Sequence, residues 1–279
     1  MKGTIYKSTG SWYTVKAENG TFYDCRIKGK FRIRGIKSTN PIAVGDRVSF
    51  QLDPKGKENQ GVISDIDVRD NYIVRKSVNL SKKTHIIASN IDQLLLVITL
   101  NNPPTFTSFI DRFLVTAEAY HIKTILLFNK IDAYTNEELF EIKFLAATYK
   151  KIGYECLSVS ALTGENIEVL KKMMQGKVSI FAGHSGVGKS TLINTLDPKV
   201  AIKTKKISEQ HQQGQHTTTF AEMYDLPFDA KIIDTPGVKG FGVVDMEKEE
   251  VAWSRYRSYM QLLEGEDENY RTDIWEQEN

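Results

Sequence analysis

The octapeptide GHSGVGKS at residues 183–190 combines three glycines, a lysine and a serine at the spacing of a phosphate-binding loop. Backbone N–H groups around Gly186, Val187 and Gly188 can cradle phosphate oxygens where a helix begins, with Gly183, Ser185 and Thr191 completing the contact set. Lys189 reaches the β- and γ-phosphates, and the Ser190 hydroxyl is a candidate ligand for Mg²⁺. The tetrapeptide DTPG at 234–237 adds Asp234, an acid able to hold Mg²⁺ through water, and Gly237, whose amide can face a γ-phosphate. Two further clusters suit a purine base. In NKID at 129–132, the Asp132 carboxylate can accept from the N1–H and exocyclic amine of guanine, which adenine does not present. Such a site rejects the wrong base by about four orders of magnitude, because its charge would be left unpaired. Asn129 is placed at the base edge, the Lys130 stem along the ring, and the Ala161 amide of SALTG (160–164) near O6, with Ser160 beside it. The plainer reading of either cluster alone is a strand-to-helix turn capped by Asp or Ser.

These residues need strand ends to hold them. From residue 91 onward, apolar runs alternate with helical patterns. QLLLVITL (93–100), KTILLFNK (123–130), ECLSVSA (155–161), KVSIFAG (177–183) and AKIIDTPG (230–237) read as strands. FTSFIDRFLVTAEAY (106–120), NEELFEIKFLAATYKKIG (136–153), NIEVLKKMMQG (166–176) and KSTLINTL (189–196) read as helices. Continuous apolar strands between helices predict an α/β fold with a parallel sheet covered on both faces, and ligands at its carboxyl edge. All four motifs fall at that edge.

The first 70 residues differ. TIYKS, WYTVKA, TFYDCRI, RVSFQL and GVISDI are short strand-like runs separated by turn signals, a pattern compatible with a five-stranded OB-fold barrel or another small barrel. Residues 1–83 carry 17 Lys/Arg against 8 Asp/Glu, whereas 240–279 carry 4 against 11. Within RIKGKFRIRGIK (26–37), Arg26, Lys28, Lys30, Arg32 and Arg34 share one strand face and Lys37 follows, with no acidic residue among them. The stripe reads as a phosphate-backbone contact on RNA; the competing reading is an edge strand protected by charge. Trp12, Tyr13, Phe22, Tyr23 and Phe31 are candidates for base stacking or for the barrel core. The polar stretch 71–90 reads as a linker, so the expected organisation is a barrel at 1–70, a linker at 71–90, a nucleotide domain at 91–244 and a C-terminal helix with an acidic tail at 245–279. No signal peptide or membrane-spanning run is recognised, and two separated cysteines suggest no disulfide framework, which fits a cytoplasmic protein.

The order of the motifs is informative. Small GTPases run phosphate loop, DxxG, NKxD, then SA(K/L); here NKID and SALTG precede GHSGVGKS, HTTT and DTPG. With a barrel in front, the chain resembles the RsgA/YjeQ family of circularly permuted GTPases over residues 1 to about 250. The resemblance implies hydrolysis of GTP to GDP stimulated by the small (30S) ribosomal subunit, a role in late maturation of that subunit, an OB-fold that contacts 16S rRNA, and Mg²⁺ as cofactor. A monomer is expected. By the same resemblance Thr218 is the switch threonine on Mg²⁺, with Thr217 and Thr219 as alternatives.

DTPG is followed by Val238, where Ras-type GTPases carry a water-orienting Gln. Slow intrinsic hydrolysis is therefore expected, with the catalytic set placed on His216, Lys189 and Thr218; the other reading of His216 is a switch histidine that contacts rRNA or nothing. Family members usually continue into a zinc knuckle, but VVDMEKEEVAWSRYRSYMQLLEGEDENY (243–270) has no Cys or His, so no zinc ligands are offered there. Either the module is absent or an insertion near Val251–Ser254 is missing from this chain. The alternatives to a ribosomal GTPase are a regulatory GTPase unconnected to ribosomes and an RNA-binding module whose nucleotide site is structural.

Overall fold

The computed structural model describes residues 1–27, 41–54, 56–76, 84–200 and 221–234. Five strands form the front: β1 (Lys2–Ser8), β2 (Tyr13–Ala17), β3 (Phe22–Ile27), β4 (Arg47–Leu52) and β5 (Gln60–Ile66). Their order is β1-β2-β3-β5-β4, and β4 returns to pair with β1, which closes a barrel of the OB type. Alternation drives it: in β2, Tyr13, Val15 and Ala17 are buried while Thr14 and Lys16 between them are not. Ile5, Cys25, Ile42, Val48, Phe50 and Ile63 complete the buried interior among the described residues. All five strand-like runs of the sequence are therefore strands.

What reads in sequence as a polar linker at 71–90 carries two strands, β6 (Tyr72–Lys76) and β7 (Thr84–Ser89), paired antiparallel. Ile73, Ile86 and Ala88 are buried in the core of the following domain. A half-buried strand needs only every second residue apolar, so its overall composition stays polar. A dry ion pair anchors this hairpin to the barrel. Asp46 accepts from Arg69 Nε and Nη2, both at 2.6 Å, and from Ser89 Oγ of β7 at 2.6 Å.

The nucleotide domain contributes β8 (Gln93–Ile98), α1 (Thr107–Ala119), β9 (Lys123–Phe128), α2 (Asn136–Lys151), β10 (Glu155–Ser158), α3 (Ile167–Met174), β11 (Val178–Ala182), α4 (Lys189–Leu196), β12 (Glu222–Leu226) and β13 (Ala230–Asp234). Strand order is β10-β9-β8-β11-β13-β12. The first five strands are mutually parallel, as the apolar runs predict; β8 is buried along its whole length. The sheet is mixed rather than wholly parallel, because β12 runs antiparallel to β13. A tight β12–β13 connection leaves no room for a crossover helix. Helices α1 and α2 cover one face of the sheet, α3 and α4 the other. The edge strand β12 is capped by barrel strand β1 through an antiparallel pairing of Lys7 with Glu222, so one sheet runs through both domains. The expected C-terminal helix at 245–279 lies outside the described residues.

Candidate nucleotide site

The phosphate loop occupies the turn from β11 into α4. Gly183 and Gly188 adopt φ +135° and +97°, and each also sits too close to a neighbour for a side chain. A Cβ on Gly183 would lie 2.5 Å from the Val97 carbonyl oxygen, and one on Gly188 would lie 2.3 Å from Asn129 Nδ2. Both conditions demand glycine. The loop ends at the N-terminus of α4, whose unpaired N–H groups and dipole favour an anion. Lys189 folds back over the loop, its Nζ donating to the carbonyls of Gly183 (2.6 Å) and His184 (2.5 Å). It thus stands where phosphate oxygens can replace those carbonyls.

The NKID and SALTG motifs are brought to this loop by parallel strand order. Asn129 follows β9 and is almost wholly buried; its Nδ2 donates to the Val187 carbonyl at 2.9 Å, and its Oδ1 accepts from the Ala161 N–H at 3.3 Å. One side chain ties the phosphate loop to the SALTG turn. Sequence reasoning placed Asn129 at the base edge; an amide can make four hydrogen bonds, so these two leave capacity for that role. Thr195 of α4 adds a second tie, donating to the Ala161 carbonyl at 3.0 Å.

Asp132 is oriented by Ser160, whose buried hydroxyl donates to Asp132 Oδ1 while accepting from the Thr163 N–H at 3.0 Å. Oδ2 remains to meet a base. Ser160 therefore orients the acid that the sequence offers for guanine, a task its place in the motif did not reveal. Lys130 has a left-handed backbone (φ 66°) and donates from Nζ to the Asn102 carbonyl at 2.6 Å. Asn102 and the adjoining NNPP segment are a contribution that sequence reasoning missed; no charge or spacing marks a backbone carbonyl.

At the phosphate end, β13 lies beside β11, with Ile233 opposite Ile180, so Asp234 ends its strand next to the start of the phosphate loop. Ile232, on the same strand face as Asp234, packs with Leu192 and Ile193 of α4. Asp234 is thereby on the side of the sheet that carries Ser190. Burial, and then the neighbouring Glu222 charge, push its carboxyl up to about 6. A bound cation reverses both effects. A hydroxyl and a carboxylate are hard oxygen donors of the kind Mg²⁺ takes alongside phosphate oxygens, so the residues fit that ion.

Several predicted residues lie outside the described residues: His216, Thr217, Thr218 and Thr219; Gly237; and Lys28, Lys30, Arg32, Arg34 and Lys37 of the basic stripe. Arg26 is described and is not an uncompensated cation, since its Nη2 donates to Asp53 at 2.6 Å. The barrel aromatics divide: Tyr13 is core, while Trp12 and Phe22 are exposed. Among the described residues no helix is long and apolar enough to cross a membrane.

Comparison with known proteins agrees with this geometry. The family model for the RsgA GTPase matches residues 66–244, and that for the RsgA N-terminal domain matches residues 2–63. The small ribosomal subunit biogenesis GTPase RsgA of Christiangramia forsetii is 58% identical over an alignment of 314 residues, which covers 99% of this chain and 100% of the relative. That alignment is longer than the 279 residues of this chain, so the relative has internal residues with no counterpart here. The protein of the same name from Bacteroides fragilis is 55% identical over 251 residues, covering 90% of this chain and 80% of its own length. Among solved structures, YjeQ from Thermotoga maritima superposes with a TM-score of 0.68 at 31% identity, over 94% of this chain and 96% of that one. YloQ, a circularly permuted GTPase, gives 0.65 at 25% identity, over 93% and 79%. A barrel-fronted, permuted nucleotide domain matched along nearly its whole length places this chain in the RsgA GTPase family.

Proposed function

We propose that this chain binds and hydrolyses GTP on the small ribosomal subunit during the late maturation of that subunit, in the cytoplasm. The observation that carries the reading is the Asn129 tie, which holds a guanine-reading turn and a phosphate loop at one spacing. In this reading Asp132 accepts from the guanine edge, Lys130 covers the ring, the Ala161 amide turns from Asn129 Oδ1 to meet O6 while Asn129 keeps its bond to Val187, and amides of 183–188 hold the phosphates. Ser190, Asp234 and Thr218 hold Mg²⁺, which when bound neutralises charge on the β- and γ-phosphate oxygens. Lys189 leaves its two carbonyl partners for the phosphates, the Gly237 amide faces the γ-phosphate, and His216 orients the attacking water. The names carried by the relatives support the subunit as partner, and the excess of positive charge in residues 1–83 supports contact with 16S rRNA.

The test is GTP turnover with and without purified small subunits, repeated at several salt concentrations. Stimulation that falls steeply as salt rises is expected. Turnover indifferent to small subunits would favour a GTPase unconnected to ribosomes, and tight GDP binding with no turnover would favour a structural nucleotide. Loss of stimulated turnover in His216→Ala, with GTP binding kept, is expected if that residue handles the water.

A further inference from the structure

A row of charged side chains crosses from the barrel into the nucleotide domain and ends at the magnesium acid. Lys7 on β1 is the backbone partner of Glu222 on β12, and Glu222 is the partner of Asp234 on β13. Residues directly opposite on neighbouring strands share a face, with Cβ atoms about 5 Å apart. The Lys7 ammonium donates to the Glu222 carboxylate at 3.0 Å. Tyr224 and Leu226, on the Glu222 face of β12, pack with Leu192, Ile193 and Leu196 of α4, so the row lies on the side of the sheet that carries Ser190. Nothing in the nucleotide motifs requires an acid at position 222.

We propose that Glu222 is a positioning residue for the magnesium-dependent step and that Lys7, a residue of the barrel, sets how much of its charge reaches Asp234. The inference rests on the assignment of Asp234 to Mg²⁺ made above. A second carboxylate beside the metal acid deepens the negative potential and tightens the cation; the ammonium at 3.0 Å offsets that charge. Lys7 is half-exposed, so an RNA phosphate that approaches the barrel can draw it away from Glu222. Barrel contact then tightens Mg²⁺ at the far end of the row without moving any backbone.

The prediction is one of opposite signs. Retention of a fluorescent GDP analogue by the full chain is followed as Mg²⁺ is titrated. Glu222→Gln should raise the Mg²⁺ concentration for half-maximal retention by about two- to fivefold, and Lys7→Met should lower it by a similar factor. The double variant should behave as Glu222→Gln does, because Lys7 acts only through that carboxylate. If the pair merely holds two strands together, both single variants move in the same direction, and that result overturns the proposal. A Lys7→Met effect that persists in the Glu222→Gln background overturns it as well. Asp234→Asn is the control: if it leaves the Mg²⁺ dependence intact, the metal assignment itself is wrong, whereas a lost dependence with no opposite shifts at 7 and 222 sinks the inference alone.

Discussion

The two ends of the nucleotide site are built in different ways. The base end is closed on itself: Asn129 bonds to Val187 and Ala161, Ser160 to Asp132, and Lys130 to Asn102, all within the nucleotide domain. The phosphate end is tied outward, since β12 and β13 carry Glu222, Asp225 and Asp234, and the first two bond to Lys7, Tyr6 and Lys16 of the barrel. In the proposed reading, recognition of the base is thus preorganised and independent of the barrel. The metal end shares its charges with a second domain, which is where a partner on that domain can act.

The largest test of this difference is Asp132→Ala. It removes two charge-assisted hydrogen bonds to guanine, each worth about 1.5–3 kcal/mol, so GDP affinity should fall by about 10²- to 10⁴-fold. Calorimetry should find the same loss with and without Mg²⁺, because the base end does not depend on the metal end. Gly188→Ala comes next. Its Cβ would meet Asn129 Nδ2 at 2.3 Å and sit at φ +97°, straining the side chain that joins the loop to the SALTG turn. A loss of about 2–4 kcal/mol in denaturant unfolding is expected, with weakened nucleotide binding.

A third test concerns pH. Asp234 is raised to about 6 by burial and then by Glu222, so the native state holds a proton that the unfolded chain releases near pH 4. Stability from this group is present below that value and is lost as pH rises from about 4 through 6. Without nucleotide or metal, Asp234→Asn should therefore stabilise the protein at pH 7 by up to about 2 kcal/mol and flatten its pH dependence between 4 and 6. Thermal melts at pH 5 and pH 7 decide it, and no gain at pH 7 would contradict the burial argument. The same variant should lose its response to Mg²⁺, so one acid weakens the empty fold and serves the loaded one.

Much of this was legible before the fold was known, for a physical reason. Phosphate and guanine impose residue types at short spacing, so GHSGVGKS, NKID, SALTG and DTPG announce themselves, and apolar periodicity places them at strand ends. Barrel strands were equally legible from alternation. What was hidden depends on residues far apart in sequence. Lys7 and Glu222 look like ordinary surface charges until β1 pairs with β12, and Arg26 looks uncompensated until β3 lies beside the loop holding Asp53. The β6–β7 hairpin was hidden because Ile73, Ile86 and Ala88 are diluted by the polar residues of its other face. Ser160 was recognised as part of the site, but only the Asp132 geometry gives its task.

The smallest predicted effect is the sharpest on how the two domains communicate. Asp225 lies on the opposite face of β12 from Glu222 and accepts from Tyr6 Oη at 2.7 Å and Lys16 Nζ at 2.6 Å. Burial alone would raise its carboxyl, but the hydrogen bonds from Lys16 and Tyr6, with the charges of Lys16 and Lys231, outweigh it and hold the group below the usual carboxylate range. Its contribution is therefore present at neutral pH and is lost as pH falls below the unfolded value near 4. The side chain is two-fifths exposed, so solvent screening limits the effect of Asp225→Asn to about 0.5–1 kcal/mol in denaturant unfolding at pH 7. Because this clamp faces away from α4, the variant should leave the Mg²⁺ titration of nucleotide retention where it was. A shift equal to that of Glu222→Gln would mean that the barrel acts on the metal end through the strand pairing as a whole, not through the charge of one row.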